Sequence, residues 1–423
     1  MSIQKVCVLG LGYIGLPTAV MFAHAGKQVY GVDINSNTVK TINKGQAHIK
    51  EKGLDHLLRK VVTDGSLKAS EHPTYADVFI IAVPTPHTKS YTADLEAVVS
   101  ATKAILPYVK KGNVVIVEST IPPRTMNDII APIFNHSGWI VGEDIYLAHC
   151  PERVLPGEIL KELVYNTRAV GGINKNSTKK AAEIYRSFVK APIIETEALT
   201  AEMSKLMENT YRDVNIALAN ELVKISNYLK IDALKVIELA NYHPRVNLHF
   251  PGPGVGGHCL AVDPYFIIEK VPEYAQLISN ARYINKSMPQ FIVSQLKKLM
   301  PEKKGNIAIL GVAYKGDIDD IRESPALDII QLLNDEEYHL KIHDPYVEQS
   351  KVSFQLFGLE ETLQHADCVL ILTDHSQFKN LDSELIVKKC KKPVVLDTRN
   401  CTNFSNTQIK YYNLGTIHKI EST

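Results

Sequence analysis

The stretch Lys5–Asp33, KVCVLGLGYIGLPTAVMFAHAGKQVYGVD, decides the fold. Lys5–Leu9 is a short apolar, β-branched run of the kind that forms a strand, and Gln28–Val32 is a second. Between them Ile14–Ala25 carries apolar residues at helical spacing, and the turn from strand to helix is Gly10-Leu11-Gly12-Tyr13-Ile14-Gly15. A GxGxxG in that position opens a dinucleotide-binding unit. Gly10 allows the tight turn, Gly12 lets a pyrophosphate reach the backbone, and Gly15 lets helix pack on strand. The helix start at Tyr13 and Ile14 offers unpaired N–H groups and a positive dipole end to phosphates. Asp33 closes the second strand about 20 residues on, where a carboxylate holds the adenosine ribose hydroxyls and repels a 2′-phosphate. The pattern predicts NAD rather than NADP. The competing reading is an ordinary glycine turn with an unrelated acid.

Working outward, Val78–Val83 (VFIIAV) and Val114–Val117 (VVIV) are apolar runs suited to central strands of a parallel sheet covered on both faces. Ile145–Ala148 and the strand-like Pro192–Glu195 follow. Alternating strands and helices predict a doubly wound α/β domain over residues 1–197. In such sheets ligands sit beyond the carboxyl ends of the strands. That rule makes Pro84 and Thr85 after one strand, and Thr120 after another, candidate cofactor contacts; turn chemistry is the alternative.

The pattern then changes. Ala201–Tyr228 contains neither Pro nor Gly, and Met203, Leu206, Val214, Leu218, Leu222 and Ile225 recur at helical spacing. A helix of roughly 28 residues is about 42 Å long, more than a small domain's diameter. It is expected to link domains and to offer a surface to another subunit. Ala233–Ala240 predicts a second helix, the turn-rich His249–His258 follows, and helical pattern resumes to about Leu299. Residues 198–299 are thus a central helical domain. Strand–helix alternation restarts at Asn306–Gly311 and continues through Ser324–Leu333, Leu340–His343, Cys368–Leu372 and Val394–Leu396. Residues 300–423 therefore predict a second Rossmann-like α/β domain.

Composition removes several function classes. The 423 residues carry 47 Lys plus Arg against 46 Asp plus Glu, a net charge of +1 that makes no case for nucleic acid or an anionic membrane as partner. No apolar stretch approaches the ~20 residues needed to span a bilayer. Six cysteines are too few and too irregularly spaced for a secreted disulfide scaffold, and none forms a zinc pattern, so no metal site is expected. The start of the chain lacks a signal-peptide pattern, and a reduced cytoplasmic protein is expected.

Five cysteines have bland settings; Cys259 does not. It follows Gly254-Val255-Gly256-Gly257-His258, and glycines permit a ligand's close approach to backbone and thiol. Asp263-Pro264 downstream reads as the cap and first position of a helix over Pro264–Lys270. Read from the residues alone, Cys259 is either an activated nucleophile or a structural thiol. Lys205, Asn209 and Arg212 fall at i, i+4 and i+7 and share one helix face, which either meets an oxyanion or phosphate or is simply solvated. Glu152 and Arg153 follow the Ile145–Ala148 strand, and His243-Pro244-Arg245 precedes the glycine loop.

At this point the motifs GLGYIGLP, PTP, VEST, HCPERVLPG, MSKLMENTYRDVNIALANE, PGPGVGGHC, AVDP, GVAYKGDIDDIRES and LDTRN occur in order over nearly the whole chain. Together they resemble the UDP-glucose/GDP-mannose dehydrogenase family. The resemblance implies oxidation of a sugar C6 alcohol to a carboxylate with two NAD. It implies Cys259 as the thiol that forms a thiohemiacetal and then a thioester, with Lys205 and Asn209 stabilising oxyanions and Lys205 serving as acid or base. It further implies Asp263 as an orienting group and Glu152 as an acid assisting hydrolysis. Arg153, Val154, Arg212, His243, Arg245, Gly254, Tyr314 and Lys315 match substrate positions, alongside Lys205 and Asn209, and Arg322 matches a cofactor contact. The residue matching Arg245 crosses from a neighbouring subunit in the family, so a homodimer or higher homo-oligomer is implied. Pro-Glu-Arg-Val with His-Cys is similar to the branch acting on UDP-N-acetylhexosamines, and the run Leu260–Phe266 points to the D-mannosamine epimer; the D-glucosamine epimer is the alternative. Synthesis of capsule or surface polysaccharide precursors is implied by the family alone. Two other classes compete: a two-electron β-hydroxyacid-type dehydrogenase, which has no use for Cys259 or residues 300–423, and a non-catalytic NAD sensor. Whether Cys150 pairs with Cys259 is beyond the sequence.

Overall fold

The computed structural model describes residues 4–155, 157–300, 304–404 and 406–420, so Pro156 of the HCPERVLPG motif and residues 301–303 lie outside it. The first sheet contains β1 (Lys5–Leu9), β2 (Gln28–Val32), β3 (Leu67–Ser70), β4 (Val78–Ile81), β5 (Val114–Val117), β6 (Tyr146–His149), β7 (Arg168–Gly172) and β8 (Ile193–Glu197). Its order is β3-β2-β1-β4-β5-β6-β7-β8. All pairs are parallel except β6 with β7. The strand order reverses between β1 and β4, the crevice at which doubly wound sheets bind dinucleotides.

Alternation along the central strands explains why they are apolar throughout. Val6, Val8, Val78, Ile80, Val114 and Ile116 enter one buried layer. Cys7, Leu9, Phe79, Ile81, Val115 and Val117 enter the layer on the other face. Because both faces are covered, neither face of these strands carries polar residues.

A second sheet is built from β9 (Asn306–Leu310), β10 (His339–His343), β11 (Cys368–Ile371), β12 (Val394–Asp397) and β13 (Lys410–Asn413). Its order is β10-β9-β11-β12-β13, all parallel. It too is covered twice: Ile307, Ile309, Cys368 and Leu370 face one layer, Ala308, Leu310, Val369 and Ile371 the other. Its order reverses between β9 and β11, so this sheet has a ligand-facing crevice of its own.

The long helix spans Ala198–Leu229, 32 residues. Ala233–Asn241, Asp263–Lys270, Gln276–Lys286 and Met288–Leu299 are the other central helices. The chain divides into two compact units, Met1–Glu208 with Tyr265–Pro272 and Asn209–Pro264 with Glu273–Thr423, and the long helix contributes to both. The expected helix at Ile14 starts at Gly15, and the run Val78–Val83 leaves the sheet after Ile81. Among the described residues no helix is long and apolar enough to cross a membrane.

Candidate active site

In the first unit the glycine turn behaves as its spacing demands. A Cβ on Gly15 would stand 1.8 Å from the carbonyl oxygen of Gly10, and one on Gly10 would stand 2.6 Å from that of Ala82, so the helix, β1 and β4 meet through these positions. A Cβ on Gly12 would meet nothing within 4 Å. That open ground is what a bound pyrophosphate requires, and the loop fits NAD. Tyr13 is half exposed beside it. Asp33 accepts the N–H of Leu11 at 3.0 Å and that of Asn35 at 2.9 Å, which ties the end of β2 to the glycine turn. The loops after β4 and β5 are joined: the Thr85 hydroxyl donates to the Thr120 carbonyl at 2.7 Å, and the Ser119 hydroxyl to that of Val83 at 2.7 Å. Pro84 is exposed at the same edge.

Glu152 follows β6 and is held on both oxygens. Oε1 accepts the N–H of Arg153 at 2.7 Å, and Oε2 accepts Nη2 of Arg168 at 2.7 Å. Arg153 reaches Glu208 at 2.6 Å and the carbonyl of Thr167, while Val154 packs against the sheet's apolar layer. Lys205 is half-buried on the long helix. One turn earlier Glu202, which no motif signalled, accepts the N–H groups of Arg124 at 2.7 Å and Met126 at 2.8 Å. Burial pushes its carboxyl up to about 7.

In the second unit the residues around Cys259 converge. The Cys259 carbonyl accepts the N–H of Val262 at 3.0 Å and of Asp263 at 2.8 Å, which turns the chain into the helix Asp263–Lys270. Asp263, expected as a helix cap and an orienting group, is buried and accepts a 2.6 Å hydrogen bond from Asn209 Nδ2. Gly254, Gly256 and Gly257 lie against the segment after β9. A Cβ on Gly257 would stand 2.7 Å from the Tyr314 ring, and one on Gly256 would stand 2.6 Å from the Glu323 carbonyl oxygen. Gly257 donates its N–H to the Arg322 carbonyl at 2.9 Å. Gly254 has φ +141 and packs on Pro325. The two most specific motifs of the sequence are thus two faces of one contact.

Arg322 is paired with Asp320 at 2.6 Å and donates to His258 Nδ1 at 3.0 Å, so the histidine beside the thiol is oriented by a guanidinium. Burial raises the Tyr314 phenol above its usual value; the charges of Asp320 and Cys259 add to the rise, and those of Arg322 and Arg212 oppose it. Cys259, Asn209, Asp263, Tyr314, Arg322 and Arg212 therefore form one neighbourhood. Lys315 is exposed next to Tyr314. His243 and Arg245 stand outside this cluster, in the exposed connector after Ala233–Asn241, where the Arg245 N–H donates to His243 Nδ1 at 3.3 Å. Arg399, beyond β12, lies 2.9 Å from where a Cβ on Gly252 would be and pairs with Asp374 at 3.0 Å. No disulfide is present among the described residues.

Comparison with known proteins agrees with this geometry. Three family models match in sequence: the NAD-binding domain of the UDP-glucose/GDP-mannose dehydrogenase family over residues 4–189, its central domain over 199–287 and its UDP-binding domain over 308–404. The chain is 47% identical over 421 residues to the UDP-N-acetyl-D-mannosamine dehydrogenase of Methanocaldococcus jannaschii, covering 97% of this chain and 96% of that one. It is 46% identical to the enzyme of that name from Campylobacter jejuni, covering 92% and 99%. The solved UDP-N-acetyl-mannosamine dehydrogenase of Staphylococcus aureus superposes with a TM-score of 0.92 at 52% identity, covering 99% of this chain and all of the other. With an NAD-binding first sheet, a UDP-binding second sheet and whole-length likeness to such enzymes, the chain belongs to the UDP-glucose/GDP-mannose dehydrogenase family.

Proposed function

We propose that this chain oxidises C6 of UDP-N-acetyl-D-mannosamine by four electrons to give UDP-N-acetyl-D-mannosaminuronate. The observation that carries the reading is Cys259 on its glycine bed, its turn tied to Asp263 and through it to Asn209. The whole-length relatives that share the D-mannosamine name support the choice of sugar. NAD, when bound, accepts the hydrides of both oxidations. Cys259 supplies the thiol that adds to the intermediate aldehyde, which makes the second oxidation possible and leaves a thioester. Asn209 and Lys205 donate to the oxygen that becomes negative at each step, and Asp263 fixes the Asn209 amide so that its N–H faces are preset. Lys205 also moves the alcohol proton, and Glu152 takes a proton from the hydrolytic water.

In this reading residues 1–197 bind NAD through Gly10, Gly12, Tyr13, Ile14, Gly15, Asp33, Pro84, Thr85 and Thr120, with Arg322 contributed from elsewhere in the chain. Residues 198–299 carry the catalytic Lys205, Asn209, Cys259 and Asp263. Residues 300–423 bind the UDP moiety, with Tyr314, Lys315 and the cationic Arg212 suited to its pyrophosphate. Arg153, Val154, His243 and Gly254 complete the substrate set. We assign Arg245 to a second copy of the chain, which its exposed connector supports, and infer a homodimer. Six cysteines without a disulfide suit a reducing, cytoplasmic setting, and a nucleotide-linked uronate suits polysaccharide precursor synthesis.

The test is NADH yield from limiting UDP-N-acetyl-D-mannosamine and, separately, UDP-N-acetyl-D-glucosamine. Two NADH per D-mannosamine sugar, abolished in Cys259→Ala, is expected. Two from the glucosamine sugar alone would overturn the substrate and keep the chemistry. One NADH with an unaffected Cys259→Ala would assign a two-electron dehydrogenase instead.

A further inference from the structure

Arg168 begins β7 and is almost wholly buried, yet no sequence motif signals it. Its Nη2 donates to Glu152 Oε2 at 2.7 Å, and its Nη1 lies 3.7 Å from Glu118 Oε1 and 3.5 Å from Cys150 Sγ. The guanidinium carbon stands 4.7 Å over the Tyr185 ring. Glu118 is equally enclosed and accepts the hydroxyls of Tyr185 at 2.7 Å and Thr18 at 3.2 Å. Two carboxylates therefore share one cation away from water. A buried ion pair seldom out-stabilises apolar packing of the same volume, so this arrangement needs a reason beyond stability.

The titratable groups facing one another here are Glu118, Glu152, Arg168, Cys150 and Tyr185. Burial pushes the Cys150 thiol up to about 11 and the Tyr185 phenol well above its ordinary value, so both stay protonated at neutral pH. Burial also pushes Glu118 up, to about 7, against the attraction of Arg168. Within the cluster, Glu118 is the group that changes charge near neutrality.

We propose that Arg168 is the positioning residue of Glu152, and that Glu118, drawing on the same guanidinium, sets how strong a base Glu152 is. This rests on the reading of Glu152 as the group that assists thioester hydrolysis. In that step the water oxygen bonds to the thioester carbon while one water proton passes to Glu152. The C–S bond breaks with its electron pair on Sγ of Cys259, and the released carboxylic acid ionises to solvent. While Glu118 is protonated, Arg168 is committed to Glu152 and weakens it as a base. Once Glu118 ionises, the cation is shared, a second negative charge stands nearby, and Glu152 accepts a proton more readily.

The test follows the thioester itself. Full-length wild type, E118Q, R168K and E152Q are mixed with NAD and UDP-N-acetyl-D-mannosamine and quenched at intervals. Intact-protein mass reads the fraction carrying the sugar-derived adduct on Cys259, from pH 5.5 to 9. Wild-type decay should rise in a step near pH 7. E118Q should lose that step, and R168K should accumulate adduct with decay slowed about tenfold while adduct formation changes less than about twofold. An E118Q profile that keeps the wild-type step, or an R168K that slows formation and decay alike, would overturn the proposal. Should R168K fail to fold, the isosteric E118Q still decides. If E152Q clears its adduct at the wild-type rate, the assignment of Glu152 falls by itself, whatever the other two variants do.

Discussion

Asp33 and Glu118 carry the same carboxylate under opposite conditions. Asp33 sits half-buried at a strand end, holding two backbone N–H groups. Glu118 is enclosed with hydroxyls, a guanidinium and a second carboxylate, and burial pushes it up to about 7 from 4.5. Between those two values the folded chain keeps a proton that the unfolded chain has released, so stability falls as pH rises through that window. Glu202 is pushed up to about 7 as well and titrates over the same range. Thermal unfolding from pH 4.5 to 7.5 should therefore show a declining midpoint. The decline should be shallower in Glu118→Gln and shallower still when Glu202→Gln is added. Parallel slopes in all three proteins would show that neither carboxyl holds its proton in the fold.

At the scale of elements, the glycine turn separates two roles that a motif merges. A Cβ on Gly15 would overlap the Gly10 carbonyl, so Gly15→Ala should cost at least about 1–3 kcal/mol in stability as well as NAD affinity. Gly12 faces open space, and Gly12→Ala should leave the unfolding midpoint within about 0.5 kcal/mol of wild type while weakening NAD binding. Calorimetric unfolding and NAD titration of the two variants check this split. The second sheet repeats the same turn with a different outcome. Asp344, after β10, accepts the N–H of Val312 at 2.7 Å just as Asp33 accepts that of Leu11. Asp344, however, is buried and also accepts Nε2 of His375 at 3.1 Å and the N–H groups of Ala313, Tyr346 and Val347. Burial alone would raise its carboxyl, but the hydrogen bonds from His375 and the backbone prevail and lower it to about 2. The carboxylate that we propose for the ribose in one sheet has as its counterpart an internal fastener in the other.

Across the molecule, the long helix is the common member. Its inner face holds Asp213 and Asn220, which Asn285 links to each other; Asp213 also accepts Nη1 of Arg282 and Asn220 accepts the N–H of Gly252, so the helix braces the start of the glycine loop. Its outer face leaves Tyr211, Leu218 and Ile225 about half exposed. Their seven-residue spacing lines them up on one side, with Tyr228 and Leu229 beyond. An apolar stripe of this kind suits the contact of the proposed dimer. Leu218→Glu with Ile225→Glu should convert the proposed dimer to monomer in sedimentation velocity. It should also lower activity, because Arg245 would lose its neighbour's site; a double variant that sediments as wild type would place the interface elsewhere.

The sequence by itself determined β1, β2 and β5 residue for residue, the long helix within a few residues of its ends, and the two-sheet plan. Those features follow from local periodicity and glycine spacing, information that neighbours in the chain carry together. It also marked the glycine loop that leads into Cys259 and the segment Tyr314–Ser324, and the packing of Gly256 and Gly257 on Tyr314 and Glu323 explains why both runs are unusual. The strand Arg168–Gly172 was illegible because it begins with a charge and ends in two glycines. Lys410–Asn413 has too little apolar character to read as a strand. Only the tertiary structure decided that Asp263 partners Asn209, 54 positions away, and that Arg168 serves Glu152 and Glu118. A buried polar group is stable only beside its partners, and the fold, not the local pattern, brings those partners to it.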